Sequence, residues 1–301
     1  MIRKDHHICI LGGGWSNERE ISLKSSNDVY KTLKSKGHNV YLYDMNEDSY
    51  DDLKNFLRSN SIDKVFNLIH GEGGEDGKIQ GYLDEIGIHY CGSDSKSSAL
   101  SFNKYQTKKI WQQNDISTPK FILYEDQQYK ELAELFKTTF FIKDTCSGSS
   151  NNIFKIDSID DYEYFLEEKN ERQYMVEQGI LADEYTAGII NDKVLPIIKI
   201  IPHNSFYDYD AKYKSDKTQF IFPNLDTNIS KEITYQVSKA FNVLGCSTWA
   251  RVDFFIDEGE IILLEINTIP GMTDHSLVPK AADKYGLTYY DLIIEIMGIH
   301  A

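Results

Sequence analysis

Residues 6–37 read HHICILGGGWSNEREISLKSSNDVYKTLKSKG, and the order of patterns inside this stretch sets the fold class. The apolar run at 6–11 predicts a buried strand, and 21–37 has the spacing of an amphipathic helix stopped by Gly37. Gly12, Gly13 and Gly14 lie between them. A dinucleotide-binding turn needs G-x-G-x-x-G, but Asn17 stands where the third glycine belongs, so a nicotinamide reading fails. Glu18, Arg19 and Glu20 open the helix, where the helix dipole favours carboxylates. A carboxylate in that loop mouth is also placed to hold a substrate ammonium.

The alternation continues outward from this stretch. Strands are predicted at 39–44, 64–69 and 88–92, with helices near 50–58 and 78–87. Strand–helix alternation at this spacing predicts a parallel, doubly wound sheet. The segment HGEGGEDGKIQG (70–81) follows the third strand, at the edge where open α/β sheets bind ligands. Its glycines and acids suit a tight turn against a ligand better than a plain surface loop. A long helix over 95–115 leads to strands at 119–124, 139–144, 152–156 and 173–178. Beyond 183 come further strands, a helix at 229–244, a strand pair at 248–256 and 260–267, and two terminal helices. The chain therefore divides into units 1–94, 95–180 and 181–301, an α/β architecture with no repeats or low-complexity linker.

Composition narrows the function. A formal net charge of −15 over 301 residues argues against nucleic acid or anionic membrane as partner. The cysteines, Cys9, Cys91, Cys146 and Cys246, lack C-x-x-C spacing, so neither a zinc site nor a disulfide framework is expected. The apolar run after the basic N-terminus is too short for a signal peptide, and no 18-residue apolar run occurs, which points to the cytoplasm.

The most specific local signal is RVDFFIDEGEIILLEIN (251–267). Arg251 and Asp253 share one strand face, and Glu265 and Asn267 share a face of the next. Two carboxylates and an amide oxygen converging beside apolar runs make a hard-oxygen site suited to Mg²⁺. PGMTDHSLVP (270–279) then gives a turn and a helix start at Ser276, which suits a carboxylate or phosphate but by itself reads better as ordinary capping. IKDTCSGSSNNI (142–153) alone reads as a generic surface loop well ahead of a phosphate-holding loop behind Lys143.

Taken together, GGWSNEREISL, HGEGGEDGKIQG, FYDYDAKY, RVDFF and LLEINTIPGMTDHSLVP resemble the D-alanine–D-alanine ligases of the ATP-grasp superfamily, in order and spacing, from about residue 8 to 297. The resemblance implies a Rossmann-like N-terminal subdomain and two ATP-grasp subdomains with ATP between them. It implies ligation of two D-alanines through an acyl phosphate, for peptidoglycan synthesis, in a homodimer. By resemblance, Lys104 and Lys143 grip the α- and β-phosphates and Lys212 lies near the γ-phosphate. Glu177, Gln178, Ile180 and Glu184 frame adenine and ribose, with Phe206 and Tyr207 alongside. Asp253, Glu265 and Asn267 hold two Mg²⁺ ions, with Mn²⁺ as an alternative. Glu18 takes the first D-alanine's ammonium near His70, while Arg251 and the Gly271 amide form the oxyanion hole. Ser276 and Leu277 receive the second D-alanine, and Ser149 and Tyr213 join Glu18 to close a lid.

Three departures from the family pattern stand out. Asp144 replaces the proline after the lysine, Gly148-Ser149-Ser150-Asn151-Asn152 lacks the second glycine, and Thr248 replaces a glycine. At an effective dielectric of about 20, an anion ~6 Å from the triphosphate costs on the order of 2–3 kcal/mol. Asp144 is therefore expected to weaken ATP binding, and Asp144→Pro to restore it. Two alternatives remain open: a ligase with a different second D-amino acid, and a catalytically weak nucleotide or D-amino-acid binder.

Overall fold

The computed structural model describes residues 6–148, 152–202 and 218–299. Its first sheet is formed by β1 (His7–Gly13), β2 (Asn39–Met45), β3 (Lys64–Asn67) and β4 (His89–Tyr90) in the order β2-β1-β3-β4. All three pairings are parallel, as the strand–helix alternation predicts. The connections are α1 (Arg19–Ser35), α2 (Tyr50–Ser59) and α3 (Lys78–Glu85). Alternate residues of β1 enter opposite cores, which is why the strand reads as continuously apolar. Cys9 and Leu11 pack with Leu53, Val65 and Ile79, whereas Ile8 and Ile10 pack with Val29, Leu33 and Phe66.

The single helix expected over 95–115 is two, α4 (Ser95–Phe102) and α5 (Lys104–Gln113). Asn103 between them is extended at ψ 100°, and its side chain accepts the Gln106 amide at 3.0 Å. A short polar side chain that satisfies a free helix amide ends one helix and starts the next. The break makes Lys104 the first residue of α5.

The second sheet comprises β5 (Phe121–Leu123), β6 (Phe140–Asp144), β7 (Ile153–Ile156) and β8 (Tyr174–Gln178), antiparallel in the order β5-β8-β6-β7. With α6 (Tyr129–Phe136) and α7 (Ile159–Glu168) it closes a core of its own around Leu132, Phe136, Ile142, Phe165 and Val176.

The third sheet is antiparallel: β9 (Asp183–Ile190), β10 (Lys193–Val194), β11 (Ile198–Ile201), β12 (Gln219–Ile221), β13 (Trp249–Asp257) and β14 (Glu260–Asn267). The apolar stretch 194–201 splits between β10 and β11 around Pro196, which has no amide to donate to a ladder. Three helices cover this sheet: α8 (Thr227–Val243), α9 (Leu277–Tyr285) and α10 (Tyr289–Met297). One core joins it to the first sheet, with Phe66 and Trp249 in edge contact at 5.7 Å. Trp111 of α5 packs into the other core of the third sheet with Val237 and Phe254.

Candidate active site

The three units meet around a cavity of about 800 Å³. Its wall includes Glu18, Lys104, Lys143, Glu177, Gln178, Ile180, Glu184, Arg251, Glu265, Asn267, Gly271, Ser276 and Leu277. Residues expected to bind nucleotide, metal and both amino acids are thus brought to one space. Ser149, Phe206, Tyr207, Lys212 and Tyr213 lie outside the described residues.

At the nucleotide end, Lys104 Nζ donates to Ser147 O at 2.6 Å and sits 3.5 Å from Glu265 Oε2. Lys143 donates to Glu177 Oε1. Glu177, expected to frame adenine and ribose, is on the cavity wall and also holds two cations. It is 1% exposed, and its carboxylate is taken by two lysines, Lys143 and the unforeseen Lys108. Burial alone raises the Glu177 pKa, but the two ammonium groups outweigh it and hold the carboxyl below its usual range.

At the other end, Glu18 precedes α1 and is buried at 7% exposure. A Cβ at Gly148 would lie 2.4 Å from its carboxylate, so the 145–148 turn passes close over Glu18, and a side chain at 148 would push the carboxylate aside. His70 is enclosed, with Nδ1 2.9 Å from Ile269 O and Nε2 3.4 Å from Ser25 Oγ. Burial holds its pKa below the usual imidazole range, so it presents a neutral ring. Glu75 is a site residue the sequence reading did not assign. Its Oε1 accepts the Gly71 amide at 2.9 Å, and burial, then the charge of Glu18, pushes its pKa up to about 8. The acid-rich 70–81 stretch was its only signal.

Across the β13–β14 ladder, Asp253 faces Glu265 and Arg251 faces Asn267, so all four share one face. Arg251 binds Asp253 through both oxygens, at 2.9 and 2.7 Å, and Thr186 donates to Asp253 Oδ1 at 2.6 Å. Glu265 and Asn267 are the members of the expected metal triad that line the cavity, with Asp253 buried behind Arg251. The oxygen-only donor set fits Mg²⁺. No cluster of three or more His, Cys, Asp or Glu side chains suited to a metal occurs among the described residues. Ser276 stands at the N-cap position of α9 without a side-chain capping bond; its Oγ instead accepts the Thr273 amide at 3.0 Å, and a Cβ at Gly271 would come 2.8 Å from it.

The departures acquire partners. Asp144 is 2% exposed, and its Oδ1 accepts the Cys146 amide at 2.9 Å. Its Oδ2 lies 3.2 Å from Arg172, which also approaches Glu72 of the 70–81 loop at 3.5 Å. The expected electrostatic penalty on ATP is therefore offset by a guanidinium, and the carboxylate is committed to holding the turn. Asn152 stands at φ +53°, the left-handed region that a glycine would fill and that asparagine tolerates. It accepts the Asp144 amide at 3.1 Å, and its side chain reaches Asp144 Oδ2 at 3.5 Å. Thr248 is left-handed too, at φ +67°.

A parallel sheet followed by two antiparallel units around a shared cleft is the ATP-grasp architecture. The chain belongs to the D-alanine–D-alanine ligase family. The family's C-terminal model, "D-ala D-ala ligase C-terminus", matches residues 110–298, and its N-terminal counterpart matches residues 46–93. A D-alanine–D-alanine ligase of Burkholderia vietnamiensis is 40% identical, covering 97% of this chain and 95% of the relative. One from Glaesserella parasuis is 36% identical over the full length of both. Among solved structures, the Bacillus anthracis ligase complexed with ATP superposes with a TM-score of 0.82 at 29% identity, covering 97% and 96% of the two chains. VanG D-Ala:D-Ser ligase from Enterococcus faecalis gives 0.82 at 26% identity, covering 98% and 99%.

Proposed function

We propose that this chain joins two D-alanines to D-alanyl-D-alanine at the expense of ATP, forming ADP and phosphate, in the cytoplasm and as a homodimer. The observation that carries the reading is the single cavity. It unites Lys104 and Lys143 with Glu18, Arg251 and Ser276 around one space.

The residues define a sequence of events. Glu18 receives the ammonium of the first D-alanine and neutral His70 stands close by. Lys104 and Lys143 neutralise the triphosphate so that the substrate carboxylate can approach the γ-phosphate. Attack gives an acyl phosphate and ADP. Ser276 orients the carboxylate of the second D-alanine, with Leu277 against its methyl group. Its free amine attacks the acyl carbon, Arg251 and the Gly271 amide hold the oxyanion, and phosphate leaves. Glu265, Asn267 and Asp253 are the residues to hold Mg²⁺, which when bound supplies charge neutralisation on the transferring phosphoryl group. The 145–148 turn over Glu18 shields the acyl phosphate from water.

The test is mass spectrometry of the product from D-alanine, ATP and Mg²⁺, run beside a panel with D-serine or D-lactate as second substrate. D-alanyl-D-alanine with stoichiometric ADP supports the reading. A mixed product as the main species moves the specificity, and no D-alanine-dependent phosphate release at high ATP leaves a binding protein.

A further inference from the structure

Lys108 is a buried charge to which the ligation chemistry above gives no part. It is 1% exposed and lies four residues after Lys104 on α5, so both side chains leave the same helix face. Its Nζ is 2.7 Å from Glu177 Oε2, an ion pair rather than a directed hydrogen bond, and it donates to Thr118 Oγ1 at 2.7 Å. Thr118 in turn donates to Leu263 O of β14 at 2.8 Å. Lys143 takes the other oxygen of Glu177. α5 packs on the third sheet through Trp111, whereas Glu177 and Lys143 belong to the second sheet. One ammonium therefore ties the wall that carries Glu265 to the wall that carries Lys143.

A Lys–Glu pair buried this deeply adds no more stability than apolar residues of similar size. Its effect on the neighbouring lysine is different. With Lys108 present, the Glu177 carboxylate is divided between two ammonium groups, and the trio keeps a net positive charge towards the cavity. Without Lys108, the whole carboxylate acts on Lys143 and draws its ammonium away from an incoming phosphate oxygen.

We infer that Lys108 is a positioning residue for ATP: by sharing Glu177 it keeps Lys143 available to the nucleotide phosphates and sets the second sheet against β14. The inference rests on the reading that Lys143 grips phosphate. Binding of Mg·ATP is measured by titration calorimetry on the full chain, so the readout stands even if the ligation product proves to be something else. Lys108→Met is expected to weaken Mg·ATP about tenfold or more, with kcat at saturating ATP within about threefold of the parent. Adding Glu177→Gln to Lys108→Met removes the pull on Lys143, and affinity is expected to return to within about threefold of Glu177→Gln alone. Wild-type affinity in Lys108→Met overturns the inference. So does a double variant at least tenfold weaker than Glu177→Gln, because Lys108 then acts by another route. If Lys108→Met alone does not fold, the comparison of the double variant with Glu177→Gln still decides.

Discussion

Thr248 offers a direct test of strain next to the strand that carries Arg251. It sits at φ +67°, two residues before β13 reaches Ala250 and three before Arg251, and its carbonyl accepts the Asn191 amide at 2.7 Å. An L-residue in the left-handed well costs roughly 1–2 kcal/mol, and β-branching puts threonine towards the upper end. Replacement by glycine removes that cost but returns about 0.5–1 kcal/mol through the more flexible unfolded chain. Thr248→Gly is therefore expected to stabilise the C-terminal unit by about 0.5–1.5 kcal/mol. Trp249, fully buried beside it, gives the fluorescence probe for urea unfolding. At a slope of about 2–3 kcal/mol/M, the midpoint should rise by roughly 0.2–0.7 M with the slope unchanged. Thr248→Ala keeps the Cβ without the branch and should recover a smaller part. An unchanged or lowered midpoint in Thr248→Gly refutes the strain argument, and shows that the threonine side chain contributes more than its backbone conformation costs.

Other perturbations have equally definite outcomes. Glu75 is protonated more readily folded than unfolded, so its contribution is present below pH ~4.5 and is lost as pH rises through about 8. Glu75→Gln, which keeps the acceptor for the Gly71 amide, should gain stability over the parent at pH 8 and little at pH 5, as denaturant titrations at the two pH values will show. Arg251→Lys loses the two-point hold on Asp253 and one oxyanion donor, and kcat in the phosphate-release assay should fall about 10²–10³-fold. Asp144→Pro should give no gain in ATP affinity, because it removes the amide that donates to Asn152 O and the carboxylate that pairs with Arg172. An ATP KM below that of the parent would restore the electrostatic penalty inferred from sequence.

The first sheet was legible because its central strands β1 and β3 are buried on both faces and strands alternate with helices along the chain. The β13–β14 face was legible for the same reason: i and i+2 spacing beside FFI and IILL runs leaves polar side chains one common direction. Pairing choices were not legible. Asp253 and Glu265 read alike as ligands, and nothing in one dimension shows that Asp253 also takes Arg251 and Thr186 as partners. Nothing in one dimension brings Lys108 beside Glu177. Asn103 and Pro196 are local signals inside longer favourable runs, where a capping side chain and a missing amide override the periodicity.

Asp144 and Asn152 carry a historical implication. Each departs from the family pattern, and the two are bound to one another through backbone and side chain. Reverting Asn152 to glycine alone takes one donor from Asp144 Oδ2 and leaves that oxygen to Arg172, and reverting Asp144 to proline alone leaves a left-handed asparagine whose carbonyl has lost its donor. The two positions therefore form an epistatic pair, in which the fitness of either residue depends on the other. Sequences that reach this loop from the proline–glycine form are expected to change both positions or neither.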